Sequence, residues 1–396
     1  MSKRKLKSVV KNILFLSIIV VIAGIVIAVF TLKDDNKKKT DEKPNIEEKE
    51  EVKEESVEEE IEEPTEKRMS IVMTGDALIH GAVFMDAYKN GKYDFTSMFN
   101  LIAPIIKKYD LKFYNQETII GGGAPAHYPR FNSPKAIGDN LTSIGFNLVS
   151  LANNHSLDRG ESGLNHSVNY WKTKSTVVVA GSYGSKAERD EVPVYERNGI
   201  KYAFLAYTTC TNGLSTPSGK SYYLNVYSNA LAKKDIEQAK KNGAEVIIVA
   251  MHWGVEYTHK PNNEQKTIAK YLSSQGVNLI IGSHPHVIQP IEYVGETLVV
   301  YSLGNLISAQ RVMGIEKIIG LLAGTDIVLK DGKVTFENTG FELLYTYYTA
   351  SNRNFKVYPF SKLTTKVLSN HASLNKKYRK IVDPRGQFNG TKEQTS

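Results

Sequence analysis

The sequence contains only one cysteine, Cys210, among its 396 residues. No disulfide within the chain is therefore possible, and the small disulfide-rich secreted folds are excluded. A chain of this length is expected to be held together by a sizeable hydrophobic core instead. Cys210 lies in a threonine-rich loop after an apolar run, and no Cys-His family signature surrounds it. We therefore expect no catalytic role for its thiol.

The sequence also lacks the motifs of nucleic-acid-binding proteins, because no zinc-knuckle, RNP or helix-turn-helix signature appears. We expect no nucleic-acid partner, although the chain has 50 basic and 42 acidic residues and a formal net charge of +8. From residue 69 onward the net charge is about +10. Such a charge favours an anionic partner, for which an acidic polymer, a wall polymer and lipid headgroups are all candidates.

A long uncharged run is present near the N-terminus, at residues 13–32. Its 20 residues are enough for one helix across a bilayer. Five basic residues within residues 1–12 predict that the N-terminus stays in the cytoplasm. A cleavable signal peptide is the alternative, but its apolar core is usually shorter and ends in a small-residue site, which is not evident here. We expect a retained single-pass signal anchor in the cell membrane and an extracellular C-terminal domain.

Residues 33–68 have almost no aromatic or apolar side chains and contain 16 acidic and 9 basic residues. Such a segment buries too little surface to offset the entropy lost on ordering. We predict a disordered acidic linker that separates the domain from the membrane.

Beyond residue 69, short apolar runs alternate with longer amphipathic segments. We predict strands at residues 70–74, 112–115, 146–151, 176–180, 201–207, 245–251, 277–281, 297–301, 320–329 and 333–343. We predict helices at residues 99–109, 136–144, 163–174, 229–242, 263–275, 361–367 and 373–381. Alternation favours parallel pairing, whereas the late strands favour antiparallel pairing. The prediction is an α/β domain at residues 69–350, with two packed sheets flanked by helices, and a basic C-terminal extension at residues 351–396.

Side chains that bind metals follow five of the predicted strands. They are Asp76; Asn115 and Glu117; Asn154 and His155; His252; and His284 and His286. Because the carboxyl ends of parallel strands meet at one edge of a sheet, these side chains are expected to converge. Plainer interpretations exist, since Asp76 also suits a helix N-cap, Asn154 a turn and His252 a packed core. Together the carboxylate, amide and imidazole donors predict a hydrolytic centre with one or two Mn, Fe or Zn ions.

A resemblance to a known family runs through residues 70–308. It is carried by the blocks GDALIHG, NQETII, SLANNHSLDRG, MHWGVEY, GSHPHVIQP and YSLGNLIS. These blocks resemble those of the CapA family of capsule biosynthesis proteins. The resemblance implies an association with poly-γ-glutamate capsule and a fold similar to that of calcineurin-like metallophosphoesterases.

The resemblance also implies roles for individual residues. The implied metal ligands are Asp76, Asn154, His252 and His286, with Asn115 or Glu117 at the bridging position. Glu117 is also a candidate general base. The implied acid that protonates the leaving group is His155, and His284 is implied to lie beside the substrate.

Two departures from the metallophosphoesterase pattern are visible. Leu78 stands where that pattern has a histidine two residues after the first aspartate, and His80 is out of register. Glu117 stands where the bridging aspartate is usual. A weaker or single-metal site is therefore an alternative to a two-metal site.

The sequence is compatible with three functions. The first is a membrane-anchored capsule protein that hydrolyses or transfers an amide or ester of poly-γ-glutamate or a similar acidic polymer. The second is a non-catalytic, polymer-binding assembly subunit beside membrane synthase subunits. The third is a wall-active metallophosphodiesterase. Cations near the loops that follow the ligand blocks are predicted to contact the polymer, and they are Arg130, Lys135, Arg159, Lys260 and Arg311.

Overall fold

A computed structural model describes residues 66–388 of the chain. The predicted membrane span at 13–32 and nearly all of the predicted linker at 33–68 lie outside the described residues. Between residues 66 and 388, no helix is long and apolar enough to cross a bilayer. The last two residues of the predicted linker, Lys67 and Arg68, begin the first strand.

The described residues form sixteen strands and nine α-helices. The strands are β1 (Lys67–Ala77), β2 (Tyr88–Lys89), β3 (Lys92–Tyr93), β4 (Leu111–Asn115), β5 (Leu148–Ser150), β6 (Val178–Ala180), β7 (Val194–Arg197), β8 (Ile200–Thr208), β9 (Val246–His252), β10 (Leu279–Ser283), β11 (Ile291–Val294), β12 (Thr297–Val300), β13 (Asn305–Ile307), β14 (Ile319–Lys330), β15 (Lys333–Tyr347) and β16 (Lys356–Pro359). The helices are α1 (Gly81–Ala87), α2 (Thr96–Phe99), α3 (Ala103–Ile106), α4 (Ala136–Ser143), α5 (Gly160–Lys172), α6 (Lys186–Glu191), α7 (Asn229–Lys241), α8 (Asn263–Ser274) and α9 (His371–Val382).

The strands build two large sheets and one small hairpin of β2 and β3. The first sheet has the order β16-β15-β14-β1-β4-β5-β6, with β13 also paired with β1. The second has the order β11-β12-β10-β9-β8-β7. Neighbouring strands pair in parallel along β1-β4-β5-β6 and along β8-β9-β10-β12. Pairing is antiparallel from β1 through β14 and β15 to β16. The predicted mixed α/β fold is therefore confirmed.

The two sheets pack against each other through alternate side chains. Phe113 on β4 meets Phe204 on β8 at a ring distance of 6.1 Å. The next residue, Tyr114, points to the opposite face and packs against Phe146 at 5.1 Å. The outer face of the second sheet is covered by apolar residues of α7 and α8. Burial on both faces explains why the central strands read as continuous apolar runs in the sequence.

Two predicted helices differ from the structure. The segment 99–109 is predicted as one helix. In the structure it contains the last residue of the short helix α2 and all of a second short helix, α3. Pro104 lies in the first turn of α3, and its missing amide hydrogen prevents one continuous helix. The predicted helix at 361–367 is reduced to a 3₁₀ turn at Phe360–Lys362, where the amide of Ser361 donates to a carboxylate on β15 at 2.7 Å.

Part of the predicted C-terminal extension belongs to the folded domain. Strand β16 pairs with β15 at the edge of the first sheet. Helix α9 places Leu374, Tyr378 and Val382 in the main core. Residues 356–382 therefore complete the same structural unit as the strands before them.

The register of the strands brings the candidate ligands together. In the first sheet, Asp76 on β1 pairs with Asn115 on β4 and with Asn305 on β13. In the second sheet, His252 at the end of β9 pairs with Ser283 at the end of β10. The side chains of Asn115 and His252 lie 3.4 Å apart, so the carboxyl ends of both sheets meet at one edge. This is the edge where ligands bind in open α/β sheets.

Close backbone approach explains the glycine before Asp76. A Cβ atom at Gly75 would lie 1.8 Å from the carbonyl oxygen of Gly304. The same contact lets the amide of Asp76 donate to that oxygen at 3.0 Å. Gly75 therefore allows β13 to lie against β1 at the place where the acid must be held.

We expect Gly75→Ala to lower the free energy of unfolding by about 3 kcal/mol, because the added methyl must push two backbone segments apart. Denaturant unfolding followed by circular dichroism measures the change. Gly184→Ala is the matched control, since the nearest atoms to its Cβ would lie 3.5 Å away in ordinary contact. Equal stability of the two variants would contradict the proposed packing role of Gly75.

Candidate metal centre

Two carboxylates and one imidazole form a buried group at the shared strand edge. One carboxylate oxygen of Asp76 accepts from Asn115 Nδ2 at 2.7 Å, and the other accepts from the backbone amide of His284 at 3.1 Å. Nε2 of His286 lies 3.5 Å from Glu117 Oε1, and its Nδ1 lies 3.6 Å from Asp76 Oδ2. Asp76, Glu117 and His286 each bring one ligand atom within 4.8 Å of the others. This spacing suits a single metal ion.

A second group shares His286 with the first. Glu256, His284 and His286 also bring one ligand atom each within 4.8 Å of one another. The side chain of Glu256 is 40 % exposed, so this group lies nearer to solvent than the first. No role for Glu256 is predicted from the sequence, although the block MHWGVEY contains it. The two groups provide neighbouring places for one or two ions.

His252 and Asn154 are in contact with each other beside these groups. Nε2 of His252 lies 2.9 Å from Asn154 Oδ1, and its Nδ1 lies 2.9 Å from Ser283 Oγ. The His252 ring is 4.7 Å from that of His284. Burial, reinforced by the neighbouring histidines, lowers the pKa of His252 well below its ordinary value. The imidazole is therefore neutral, which is the form that binds a metal.

Several buried polar atoms at this edge lack a hydrogen-bond partner among the described residues. They are Oδ1 of Asn115, both carboxylate oxygens of Glu117 and Nδ1 of His284. An unpaired buried polar group costs about 1–3 kcal/mol, and a charged one costs more. Oxygen and imidazole donors of this kind suit divalent ions such as Mn, Fe and Zn. The residues present therefore fit the predicted divalent metal.

The electrostatics of the first group favour a cation. Burial raises the pKa of Glu117 well above its ordinary value. Burial also acts to lower the pKa of His286, but Glu117 and Asp76 outweigh it and raise that pKa to about 9. The carboxyl groups and the imidazole therefore hold a proton between them despite their burial, and a cation bound there would take the place of that proton.

The backbone is strained at the same place. His284 has φ of 96°, His286 has φ of 56° and Tyr257 has φ of 63°. Residues with a side chain rarely adopt these left-handed values, and each costs on the order of 1–3 kcal/mol. Strain concentrated at one sheet edge is typical of a functional site, where it fixes the direction of the side chains.

Asn305 orients His286 from behind. Its Oδ1 lies 3.0 Å from Nδ1 of His286, and its Nδ2 donates to the carbonyl oxygen of Lys317 at 2.8 Å. Because the second bond fixes the amide, Oδ1 must accept, and the proton of His286 is held on Nδ1. Nε2 is then left for Glu117 and a metal. The block YSLGNLIS contains Asn305, but no role for that residue is predicted from the sequence.

His155 forms a pair with Asp158. Nδ1 of the imidazole lies 2.7 Å from Asp158 Oδ2, which also accepts from the backbone amide of Phe131 at 2.7 Å. The ring of Phe131 packs edge-on against His155 at 4.8 Å. The carboxylate holds the Nδ1 proton, so Nε2 is the atom available to a substrate. The block SLANNHSLDRG contains Asp158, but no pairing with His155 is predicted from the sequence.

A cavity of about 770 Å³ opens beside the two ligand groups, and we name it the metal cleft. Its lining includes Asn154, His155, Asp158, Glu256 and His286. A ligand from solution can therefore reach both His155, the acid that the resemblance implies, and the second ligand group. His80 also lines the metal cleft but belongs to neither ligand group, and burial lowers its pKa to about 4.

The structure brings one of the five predicted polymer-binding cations into the lining of the metal cleft. That residue is Arg130. Lys135 pairs with a carboxylate on α4, and the guanidinium of Arg311 donates to two loop carbonyls. The aliphatic part of Arg159 packs against two glycines. Lys260 does not line the metal cleft.

Cys210 lies at the edge of the same region. Its Sγ is 4.0 Å from Nε2 of His284. Burial raises the pKa of the thiol to about 11, so the sulfur is protonated at neutral pH.

Comparison with known proteins assigns the chain to a family. The model of the bacterial capsule synthesis protein family PGA_cap matches residues 70–310. The chain belongs to this family. The resemblance found in the sequence blocks is therefore confirmed.

Individual relatives are similar over part of their length. The PGA biosynthesis protein CapA of Bacillus subtilis (strain 168) is 30 % identical over 177 residues, which are 43 % of this chain and 44 % of that protein. The capsule biosynthesis protein CapA of Bacillus anthracis is 31 % identical over 176 residues, 43 % of this chain and 42 % of that protein. The chain thus matches less than half the length of these relatives.

Similar solved structures include a phosphatase from Mycoplasma pneumoniae, with a TM-score of 0.46, 16 % identity and coverage of 71 % of this chain and 95 % of that chain. A putative 5'-nucleotidase from Staphylococcus aureus has a TM-score of 0.46 and 15 % identity, and the match covers 78 % of this chain and 58 % of that chain. Similarity at this level carries no conclusion about activity.

We expect the protein to retain one or two divalent ions after loading with Mn or Zn. Glu117→Gln combined with His286→Ala should remove most of that metal, because it deletes a carboxylate of the first group and the imidazole that belongs to both groups. Elemental analysis of the desalted proteins measures the content.

Glu264→Gln combined with His371→Ala is the matched control, since neither residue belongs to a ligand group among the described residues. Similar metal content in the wild type and both double variants would contradict the assignment of the centre.

Proposed function

We propose that this protein is a membrane-anchored, extracellular capsule protein that acts on poly-γ-glutamate or a similar anionic polymer as a metal-dependent hydrolase or transferase. The observation that carries the proposal is the convergence of Asp76, Glu117 and His286 beside the metal cleft. Membership of the capsule synthesis family supports the capsule role. The name of the Bacillus subtilis relative, a PGA biosynthesis protein, supports poly-γ-glutamate as the polymer.

The candidate ligands have different parts in this proposal. Asp76, Glu117 and His286 would hold one ion, with Asn115 Oδ1 directed to it. Glu256 and His284 would hold a second ion next to the His252–Asn154 pair. His286, whose Nδ1 proton is held by Asn305, would give its one free nitrogen to only one of the two ions. A bound divalent ion would act as a Lewis acid on the scissile carbonyl or phosphoryl oxygen and would lower the pKa of an attacking water.

The chain itself supplies the proton of the reaction. Asp158 accepts the Nδ1 proton of His155, so Nε2 faces the metal cleft. In the imidazolium form, in which Nε2 also carries a proton, this atom would donate to the leaving nitrogen or oxygen, and the Nδ1 proton would stay on the nitrogen that faces Asp158. Asn305 keeps Nε2 of His286 directed at the ligand group. Arg130, at the mouth of the metal cleft, would attract a carboxylate of the polymer.

A non-catalytic role has its own support. Leu78 stands in the lining of the metal cleft at the position where the resemblance leads one to expect a histidine ligand. With one donor fewer, the cleft would bind the polymer without turnover, as an assembly subunit beside membrane synthase subunits.

We expect the Mn-loaded protein to shorten poly-γ-glutamate and to create new amino ends. His155→Gln should slow this reaction by about 10²- to 10⁴-fold, because the leaving group loses its proton donor. Size-exclusion chromatography and amine labelling measure the reaction. His166→Gln is the matched control, because His166 is exposed and outside the metal cleft.

The alternatives give different results in the same assay. Cleavage of bis(p-nitrophenyl) phosphate without cleavage of the polymer would favour a phosphodiesterase. Binding of the polymer without any turnover, in the wild type as in His155→Gln, would favour the assembly subunit.

We expect the domain after residue 32 to lie outside the cell, because basic residues precede the uncharged run at 13–32. Protease added to intact protoplasts should remove the domain and leave a small membrane-bound fragment, as seen by immunoblotting with antibodies against each end. Complete protection of the domain would reverse the proposed topology.

A further inference from the structure

A second cavity adjoins the metal cleft. It has a volume of about 420 Å³. Its lining shares His80 and Tyr128 with the metal cleft, so the two spaces lie side by side along these residues. We name it the Arg353 subsite, and the rest of its lining is Gly81, Ala82, Met85, His127, Ser351, Asn352 and Arg353.

The loop that carries Arg353 is fixed to the strand end that carries Asp76. Asp86, on helix α1 just after β1, is buried. One of its carboxylate oxygens accepts from the amide of Asn354 at 3.0 Å, and the other accepts from the amide of Phe355 at 2.8 Å. Charged hydrogen bonds of this kind hold a loop firmly. The wall of the Arg353 subsite is therefore fixed relative to the metal centre.

Arg311 ties the same loop to the opposite wall of the metal cleft. Its guanidinium donates to the carbonyl oxygens of Tyr348 and Thr349 and lies 4.0 Å from the centre of the Tyr348 ring. Arg311 is followed by Val312 and Met313, which line the metal cleft. Arg311 is predicted from the sequence to contact the polymer. In the structure it connects the wall of the metal cleft to the loop that lines the Arg353 subsite.

The charge of the Arg353 subsite is positive. Arg353 is exposed, and the described residues offer its guanidinium no hydrogen bond or ion pair; only its backbone bonds, to Thr349. Among the described residues, no aspartate or glutamate lines the cavity. Ser351, Asn352 and His127 add polar groups beside Arg353. An unpaired guanidinium with polar groups beside it is suited to a carboxylate, which it binds in a bidentate manner.

The position of the loop also separates this cavity from the family-wide site. Residues 349–355 lie beyond residue 310, where the match to the family model ends. The cation therefore comes from a part of the chain that the family model does not cover, whereas the metal ligands all come from within it.

We infer that the Arg353 subsite binds a neighbouring carboxylate-bearing unit of an extended polyanion whose reacting bond lies in the metal cleft. The inference rests on the proposed function, because a polymer longer than one unit must leave the metal cleft over one of its walls. Tyr128, which is 68 % exposed and lines both cavities, provides an apolar face for the aliphatic part of the chain at that crossing.

The test compares a short and a long probe on the full-length, metal-loaded protein in detergent. The probes are a γ-linked glutamate dimer and a γ-linked glutamate octamer, and calorimetry measures their binding in the His155→Gln background, which prevents turnover. Arg353→Gln should weaken octamer binding about fivefold or more and leave dimer binding unchanged, because only the octamer reaches the second cavity. Arg353→Lys should bind the octamer more tightly than Arg353→Gln does, since it keeps the charge.

Arg385→Gln is the matched control, because it removes the same charge from an exposed residue that lines neither cavity. Equal loss of octamer binding in Arg385→Gln, or equal loss of dimer and octamer binding in Arg353→Gln, would overturn the inference. An octamer preference that Arg353→Gln and Arg353→Lys leave unchanged would also overturn it while the proposed function stands. If neither probe binds the unsubstituted Arg353 protein, the proposed function fails and the inference fails with it.

Discussion

The site depends on compensating two carboxylates that are buried at one sheet edge, Asp76 and Glu117. Burial of a carboxylate is tolerated only when hydrogen bonds or positive charge compensate it. Asp76 receives two hydrogen bonds, whereas Glu117 receives none among the described residues and depends on the charge of His286. A cation between them is the arrangement that satisfies both. The surrounding structure is best understood as the means of holding that negative charge in place.

The fold holds the charge by register and by strain. Asp76 lies beside Asn115 and Asn305 because β1 pairs with β4 on one side and with β13 on the other. Gly75 makes this double pairing possible, since any side chain there would meet the backbone of Gly304, the residue before β13. On the second sheet, the left-handed conformations of His284 and His286 set the direction of both imidazole rings at the end of β10. The stability of two packed sheets compensates the local cost of these conformations.

The strand ends could be predicted from the sequence because they depend on local pattern. Asp76, Glu117 and His286 each follow an apolar run, and parallel pairing alone places such residues at one edge. Glu256 and Asn305 lie in the sequence blocks that carry the family resemblance, but their roles depend on contacts between distant elements. The contacts of Arg311 could not be predicted either, because its position in the sequence suggests a free surface charge beside the metal cleft. Its actual contacts, with the loop after β15, are set by tertiary packing that no local pattern encodes.

The charges are arranged in two layers, and this arrangement links the metal to an anionic partner. Asp76, Glu117 and Glu256 make the interior negative, while Arg130 and Arg353 lie further out in the two cavities. A carboxylate polymer attracted by the outer cations would be repelled by the interior unless a divalent ion neutralised it. If metal strengthens polymer binding by a given factor, polymer must strengthen metal binding by the same factor. Under the proposed function, the buried acids therefore make the affinity of the metal cleft and the Arg353 subsite for polymer depend on the metal.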